Sequence, residues 1–312
     1  MPRYRDEFNN LKVHTQYSIC EGAIKIDDLA DYCKTNKLKA IGLADTNNLC
    51  GALEFAEKIS KVGTQPIIGT QINILYENII GKITLYATSE IGYKNLTKLS
   101  SLSYLKNKST YEPNCNIDDL ISNNEGIILL TGNYNNLFGK LFYANKEKNI
   151  NSLIEKIKDV FSNRLYIEIQ RHGENQELNY EKFLFTLSSV YDLPLIASQE
   201  IYYLNSNMSE AHDALICIGE KNFIDDPNRF RYSKHHYIKT KEEILDLYKD
   251  IPEALENNYN FPLRFNFKPK KSKPILPSIS NNKNISAVDD LIEQAKVGLD
   301  LRLNNFIYKK KT

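Results

Sequence analysis

Residues 40–74 are AIGLADTNNLCGALEFAEKISKVGTQPIIGTQINI, in which two apolar runs lie on either side of an amphipathic segment. The compact apolar run at 40–44 predicts a buried strand, and residues 49–62 carry apolar side chains at helical spacing that end before Gly63. Residues 66–74 predict a second strand. A strand, a helix and a strand in so short a span form a βαβ unit, which favours two parallel strands.

The same alternation continues on both sides of this unit. Asp27 is expected to cap a helix that ends near Asn36. Further strands are predicted at 11–14, 83–87, 126–130, 166–169 and 195–197, and further helices at 93–104, 117–122, 135–144, 150–161 and 177–191. Seven strand candidates before residue 200, without a glycine-rich dinucleotide loop, favour a closed or nearly closed barrel over a doubly wound sheet.

The pattern changes after residue 205. Helices alone are predicted there, at 209–219, 240–248 and 252–258. Residues 268–284, KPKKSKPILPSISNNKN, lack periodicity and predict a linker before a last amphipathic helix at 287–303. Because this helix begins a new unit and the chain then ends, we expect a truncated piece of something longer.

Composition limits the class of protein. Of the 312 residues 42% are hydrophobic, and 40 Lys and Arg against 39 Asp and Glu give a net charge of +1. A protein that grips DNA over its whole surface is usually more basic. The 5 cysteines form no CxxC pair, which fits a reducing compartment. No membrane span or leader is recognisable, so we expect a soluble, cytoplasmic protein.

Polar residues recur just past the ends of the predicted strands. In an α/β protein the carboxyl ends of parallel strands converge on one rim, where the site is usually built. The sequence therefore predicts that the functional face contains six such residues: His14, Asp45, Gln71, Asn133, His172 and Glu200.

Four motifs in this order resemble one family. They are VHTQYS (13–18), GLADTNNLCGALEFAEKISKVGTQPIIG (42–69), IEIQRHG (167–173) and DIPEALENN (250–258). Together they resemble the N-terminal end of the alpha (catalytic) subunit of bacterial DNA polymerase III. The resemblance implies a PHP (polymerase and histidinol phosphatase) domain, an α/β fold with a distorted, TIM-like (β/α)7 barrel, over residues 1–267. Residues 268–312 would then be the linker and first helix of a truncated polymerase module, without its catalytic carboxylates.

The resemblance also implies a metal site, in which imidazoles and carboxylates around clustered ions activate water and clamp a phosphate. Position by position, four side chains keep a ligand type: His14, Asp45, His172 and Glu200. Five others stand where the family has ligands and are not suited to the role: Lys12, Thr46, Gln71, Asn133 and Tyr202. This pattern resembles the branch of the family in which the barrel is kept and its hydrolytic site has decayed.

Lys12 is the most consequential of these departures, because an ammonium repels a metal cation. At 4 Å two unit charges interact with roughly 4 kcal/mol at intermediate screening. We therefore expect Lys12 to take over one metal charge and to pair with Asp45 or Glu200. Other histidines receive ordinary interpretations: His212 packs or caps on a helix, and His235 and His236 lie in a polar surface loop.

The resemblance implies three kinds of partner: a proofreading exonuclease subunit, the rest of the polymerase chain, and DNA in the full-length protein. No cofactor is expected in the fragment beyond residual Zn or Mn, whereas Mg would serve the full DNA-directed DNA polymerase. The main alternative is a metal-dependent phosphoesterase or 3′–5′ proofreading nuclease. A third hypothesis is a free-standing binding protein unrelated to replication.

Overall fold

Strands and helices alternate along most of the chain, of which the computed structural model describes residues 8–106, 112–274 and 285–305. The strands are β1 (Asn10–Val13), β2 (Ala40–Thr46), β3 (Gln65–Tyr76), β4 (Ile79–Ala87), β5 (Cys115–Asn116), β6 (Ile127–Leu130), β7 (Leu165–Gln170), β8 (Leu195–Ser198) and β9 (Glu200–Ile201). The helices of the first 270 residues are α1 (Ile26–Asn36), α2 (Ala52–Lys61), α3 (Glu90–Leu105), α4 (Ile117–Ser122), α5 (Leu137–Tyr143), α6 (Glu147–Phe161), α7 (Glu177–Tyr191), α8 (Ser209–Glu220), α9 (Lys241–Leu247) and α10 (Pro252–Asn260). Short 3₁₀-helices lie at Ser162–Arg164, Ser206–Met208 and Phe261–Arg264.

The sheet closes almost completely on itself. Its strand order is β8-β7-β6-β4-β3-β2-β1-β9, with β5 beside β3. The two ends of this order, β8 and β9, are separated in the chain by Gln199 alone. Residues 195–201 therefore pair with β7 through their first half and with β1 through their second half. This arrangement confirms the predicted distorted barrel.

One strand departs from the predicted parallel sheet. β4 runs antiparallel to both of its neighbours, β3 and β6. The reason is the connection, since Glu77 and Asn78 both have positive φ angles, of 51° and 61°. Two such residues form a hairpin turn, which joins antiparallel strands, whereas a parallel neighbour needs a long crossover. The expectation of parallel strands, drawn from the alternation of strands and helices, is therefore wrong at β4.

The helices match their predicted ranges along most of their length, but two of them begin at a different residue. α7 spans the predicted residues 177–191. The N-cap of α1 is Lys25, without a side-chain cap, so the assignment of that cap to Asp27 is wrong. α2 begins at Ala52 rather than at residue 49, because residues 46–51 form the loop that follows β2.

The amino end of the barrel lumen is filled by apolar side chains. Leu11, Tyr86, Ile128 and others form a buried cluster with Phe261 and Phe265, which come from the segment after α10. Gly69 makes room for the Tyr86 ring, because a Cβ at Gly69 would lie 2.4 Å from it. The helical segment after residue 240 is thus part of the barrel core.

Asn258 fixes α10 to the barrel. Its side chain accepts a hydrogen bond from the backbone of Asn9 at 2.8 Å and donates to the carbonyl oxygens of Asn9 and Ala197, each at 2.9 Å. The start of β1 and the closing strand β8 are therefore held by one buried amide.

The chain divides into two compact units, residues 1–270 and 271–312. In the second unit, helix α11 (Ala287–Asn305) has Ser286 accepting a hydrogen bond from the backbone of Asp289 at 3.1 Å, as N-cap residues do. Most of the predicted linker, residues 275–284, lies outside the described residues. None of the helices in the described ranges combines the length and apolar character needed to cross a membrane.

Candidate functional site

The six rim residues predicted from the sequence are all buried: His14, Asp45, Gln71, Asn133, His172 and Glu200. Five of them lie near or just past the carboxyl end of a strand, whereas Gln71 lies inside β3. They do not converge on one point. Four of them meet at Glu200, whereas Asp45 is held separately by the loop after β1.

Glu200 is the centre of the cluster. Its Oε1 accepts hydrogen bonds from Gln71 Nε2 at 2.5 Å and lies 3.1 Å from His14 Nε2. Its Oε2 accepts from Asn133 Nδ2 at 2.9 Å, and its backbone N–H donates to His172 Nε2 at 3.1 Å. Burial alone would raise the pKa of Glu200, but the charges of Lys12 and His14 hold it well below its usual value.

Lys12 points into the barrel and is fully buried. Its Nζ lies 3.6 Å from Glu200 Oε1 and 3.5 Å from Glu168 Oε1. The predicted pairing with Glu200 is thus present, while Asp45 has other partners. An ammonium lies between two carboxylates in the middle of the site.

Glu168 is the residue that sequence reasoning missed. It lies inside β7, where Ile167 and Ile169 face the helix layer and pack into the main hydrophobic core. Alternation along the strand therefore directs Glu168 into the lumen. A carboxylate between two isoleucines of a predicted buried strand was the available signal.

Asp45 accepts three hydrogen bonds from one loop. Thr15 donates through its backbone N–H and its hydroxyl, and Ser18 donates through its hydroxyl, each at 2.7 Å. Burial raises the pKa of Asp45, and these hydrogen bonds oppose that shift. Both carboxylate oxygens are occupied in holding the loop after β1.

His14 bridges the two carboxylates. Because Ser18 spends its one hydroxyl hydrogen on Asp45, its 3.2 Å contact with His14 Nδ1 requires the imidazole N–H as donor. The other ring nitrogen faces the ionised carboxylate of Glu200, which can only accept. His14 thus links Glu200 to Ser18, and Ser18 in turn holds Asp45. The ring also stacks on Tyr202 with centroids 4.5 Å apart.

His172 and His236 form a parallel stack with ring centroids 4.1 Å apart. Burial, aided by the charge of Lys239, lowers the pKa of His172 to about 3. Burial and the neighbouring His172 also lower the pKa of His236 well below its usual value. The expectation that His236 lies in a surface loop is wrong, because it is buried and its Nδ1 lies 3.0 Å from the Glu200 carbonyl oxygen.

His212 packs on a helix as expected. It is buried on α8, its Nε2 donates to the carbonyl oxygen of Glu21 at 2.8 Å, and it stacks against Tyr202. It belongs to the packing around the barrel mouth.

The outer edge of the site is closed by a second ion pair. Lys82 Nζ donates to Glu21 Oε1 at 2.7 Å and to the Thr46 hydroxyl at 3.2 Å. Thr46 in turn donates to Glu21 Oε2 at 2.5 Å. A cavity of about 200 Å³ adjoins this ion pair, and Lys82, Asn133 and Tyr232 are among the residues that line it.

These residues do not fit a cluster of metal ions. Within the described residues no three or more His, Cys, Asp or Glu side chains are placed to hold one. The oxygens of Asp45 and Glu200 and Nε2 of His172 already accept hydrogen bonds from protein donors. Residual binding by His14, Asp45, His172 and Glu200 stays a prediction.

Known proteins similar to this chain include a domain family and several bacterial polymerase subunits. The family model named PHP domain matches residues 10–172. The DNA polymerase III subunit alpha of Rickettsia felis is 35% identical over 300 residues, which cover 96% of this chain and 25% of that protein. The proteins of the same name from Caulobacter vibrioides and Borreliella burgdorferi are 35% and 34% identical, over 95% and 99% of this chain and 27% and 28% of theirs. The chain thus spans about a quarter of the length of these relatives.

Proposed function

The chain belongs to the PHP domain family, and we propose that it is the N-terminal part of a replicative DNA polymerase III alpha subunit. In this proposal the barrel is a structural domain and a docking platform for a proofreading exonuclease subunit. The full protein would add deoxynucleotides to a primer with Mg²⁺ held by acidic residues outside this chain.

Two features of the similarity support the replicase assignment. The identity of 34–35% extends over nearly the whole chain rather than over residues 10–172 alone. With the Borreliella burgdorferi protein it covers 99% of the chain, so it includes the segment after residue 270. A free-standing phosphoesterase gives no reason for that extension.

The observation that carries the structural role of the barrel is the position of the Lys12 ammonium. It lies 3.5–3.6 Å from the carboxylates of Glu168 and Glu200 and so supplies the positive charge that a metal ion would bring. A cation placed about 4 Å from this ammonium would meet roughly 4 kcal/mol of repulsion per unit charge.

Metal content and hydrolysis separate this proposal from the phosphoesterase or nuclease alternative. Protein purified without chelator should contain far less than one equivalent of Zn or Mn. It should not hydrolyse a phosphodiester or a mismatched primer end faster than the Asp45→Asn variant. Stoichiometric metal that is lost in Asp45→Asn and Glu200→Gln would establish the alternative.

Docking is tested with the exonuclease subunit of the same organism. We expect residues 1–312 to form a complex with it that survives size-exclusion chromatography at micromolar concentrations. Absence of a complex under those conditions would remove the docking role while leaving the metal result intact. A reading frame that continues past Thr312 into an acidic, glycine-rich palm would exclude a free-standing binding protein unrelated to replication.

A further inference from the structure

Among the buried polar atoms of the barrel strands that lack a hydrogen-bond partner in the described residues, five belong to fully buried side chains. They come from five different strands: Lys12 Nζ, Gln71 Oε1, Thr84 Oγ1, Glu168 Oε2 and Ser198 Oγ. Each of these residues is 0% exposed. Buried polar groups in folded proteins nearly always have partners, so five in one barrel require an explanation.

Strand register places these side chains on the lumen side of the sheet. Gln71 crosses the lumen to bond Glu200, and Thr84 lies directly opposite Gln71 in the antiparallel pair, so both share a face. Ser198 is the register partner of Gln170, whose amide donates to Glu168 Oε1 at 2.7 Å.

The Lys12 ammonium has unused donors. Its contacts of 3.5 and 3.6 Å with Glu168 and Glu200 are longer than direct N–H···O bonds, which span about 2.7–3.2 Å. The ammonium carries three N–H groups, and the other four atoms supply two acceptors and two hydroxyls. Donors and acceptors are thus both present on the lumen side of the sheet.

The charges around these atoms define what can lie between them. Lys12 and His14 already lie beside the two carboxylates, so neither a metal cation nor an anion meets an unpaired counter-charge here. Water is neutral, both donates and accepts hydrogen bonds, and is small enough for a closed core. Several water molecules can therefore provide partners for all five atoms. We infer that a cluster of ordered water molecules binds in this layer and hydrates the ion pairs of Lys12.

A small cavity beside Glu168 supports the same conclusion. It has a volume of about 10 Å³ and is lined by Glu168, Gln170 and Tyr180, among others. The Tyr180 hydroxyl is another buried group without a partner in the described residues. A polar cavity of this size has room for about one water molecule.

The water cluster would complete a preformed barrel mouth that needs no metal. Lys12 and its water shell hold the two carboxylates apart, and Glu200 then orients His14, Gln71 and Asn133. The inference rests on these contacts alone and does not depend on the docking role.

A high-resolution crystal structure of the full chain tests this inference directly. We expect solvent peaks about 2.7–3.2 Å from Lys12 Nζ and from Glu168 Oε2. Direct bonds from Nζ to both carboxylates with no solvent between them would overturn the inference. An anomalous signal from Zn or Mn at this point would overturn it as well.

Solution measurements on variants of one serine and one threonine give a second test. Oxygen-17 relaxation dispersion should count at least one long-lived water fewer in Ser198→Ala and in Thr84→Val than in the unmodified chain. Ser103→Ala is the matched control, because Ser103 is equally buried and its hydroxyl donates to the Ser100 carbonyl at 2.7 Å. Equal counts in Ser198→Ala and Ser103→Ala would contradict a water cluster in the lumen.

Discussion

At the scale of single residues, Lys12 sets the electrostatics of the barrel mouth. A histidine at this position would offer a lone pair to a metal ion, whereas lysine offers a fixed positive charge. Glu168 and Glu200 are stabilised in the interior because that charge lies 3.5–3.6 Å from each of them. One side chain thus changes the site from one that could recruit a cation to one that contains its own.

Replacing Lys12 should be costly. We predict that Lys12→Met lowers the free energy of unfolding by about 3–5 kcal/mol, because two buried carboxylates lose their counter-ion. Adding Glu168→Gln should recover part of this loss, since the double variant buries one charge fewer. Urea unfolding measures both values. A loss below about 1 kcal/mol in Lys12→Met would contradict the role assigned to the ammonium.

The stacked histidines predict a pH dependence of stability. The pKa of His172 is lowered to about 3 and that of His236 also lies well below its usual value, while unfolded histidine titrates at about 6.5. The unfolded chain therefore takes up protons first, so stability falls as the pH drops below about 6.5. Each of the two histidines should lower the free energy of unfolding by about 1.4 kcal/mol per pH unit, until the pH reaches its pKa in the folded state.

Urea unfolding between pH 7 and pH 5 checks this dependence. His236→Asn keeps a donor for the Glu200 carbonyl oxygen and should reduce the slope by one histidine's share. His212, whose pKa is also lowered by burial, contributes to the slope that is left. Stability that does not change between pH 7 and pH 5 would show that these rings are not held neutral.

At the scale of elements, the 3₁₀-helix Phe261–Arg264 closes the barrel at its amino end. Phe261 packs edge-on against Tyr86 and Tyr166, with centroids 5.6 Å away in both cases. The polar layer around Lys12 therefore lies above an apolar floor. Segments far apart in the sequence build one lumen.

A pair of neighbouring residues tests this closure. Phe261 is 0% exposed and Leu263 is 82% exposed. We predict that Phe261→Ala lowers the free energy of unfolding by about 3–5 kcal/mol through lost contacts and a cavity. Leu263→Ala in the same short helix should change it by less than about 0.5 kcal/mol. Similar losses in the two variants would show that Phe261 does not plug the barrel.

At the scale of the whole molecule, the first 270 residues contain every contact of the barrel described above. Asn258 joins α10 to the strand that starts the barrel and the strand that closes it. The helices after residue 240 are therefore part of the folding unit, although the sequence changes character there.

Two truncations test this organisation. A chain of residues 1–270 should unfold in one cooperative thermal transition, because it keeps the floor and the Asn258 contacts. A chain of residues 1–250 should lose that transition, since it lacks α10 and both phenylalanines of the floor. Circular dichroism melting distinguishes them. A cooperative transition in the shorter chain would contradict the integral role of this segment.

Sequence alone predicted seven of the nine strands of the sheet, most helices and the rim on which the polar residues lie. These features depend on local periodicity and on short stretches of chain, which the order of amino acids encodes directly. The resemblance to the polymerase family likewise rested on motifs that are contiguous in the sequence, and the known relatives confirm it.

Tertiary structure alone decided which polar groups meet. The hairpin at residues 77–78 reversed β4, His236 came from a distant loop to stack on His172, and Glu168 faced Lys12 across the lumen. The last two outcomes depend on contacts between segments far apart in the chain, and local patterns do not encode such contacts. A lysine and a glutamate 156 positions apart become one buried ion pair because the barrel closes.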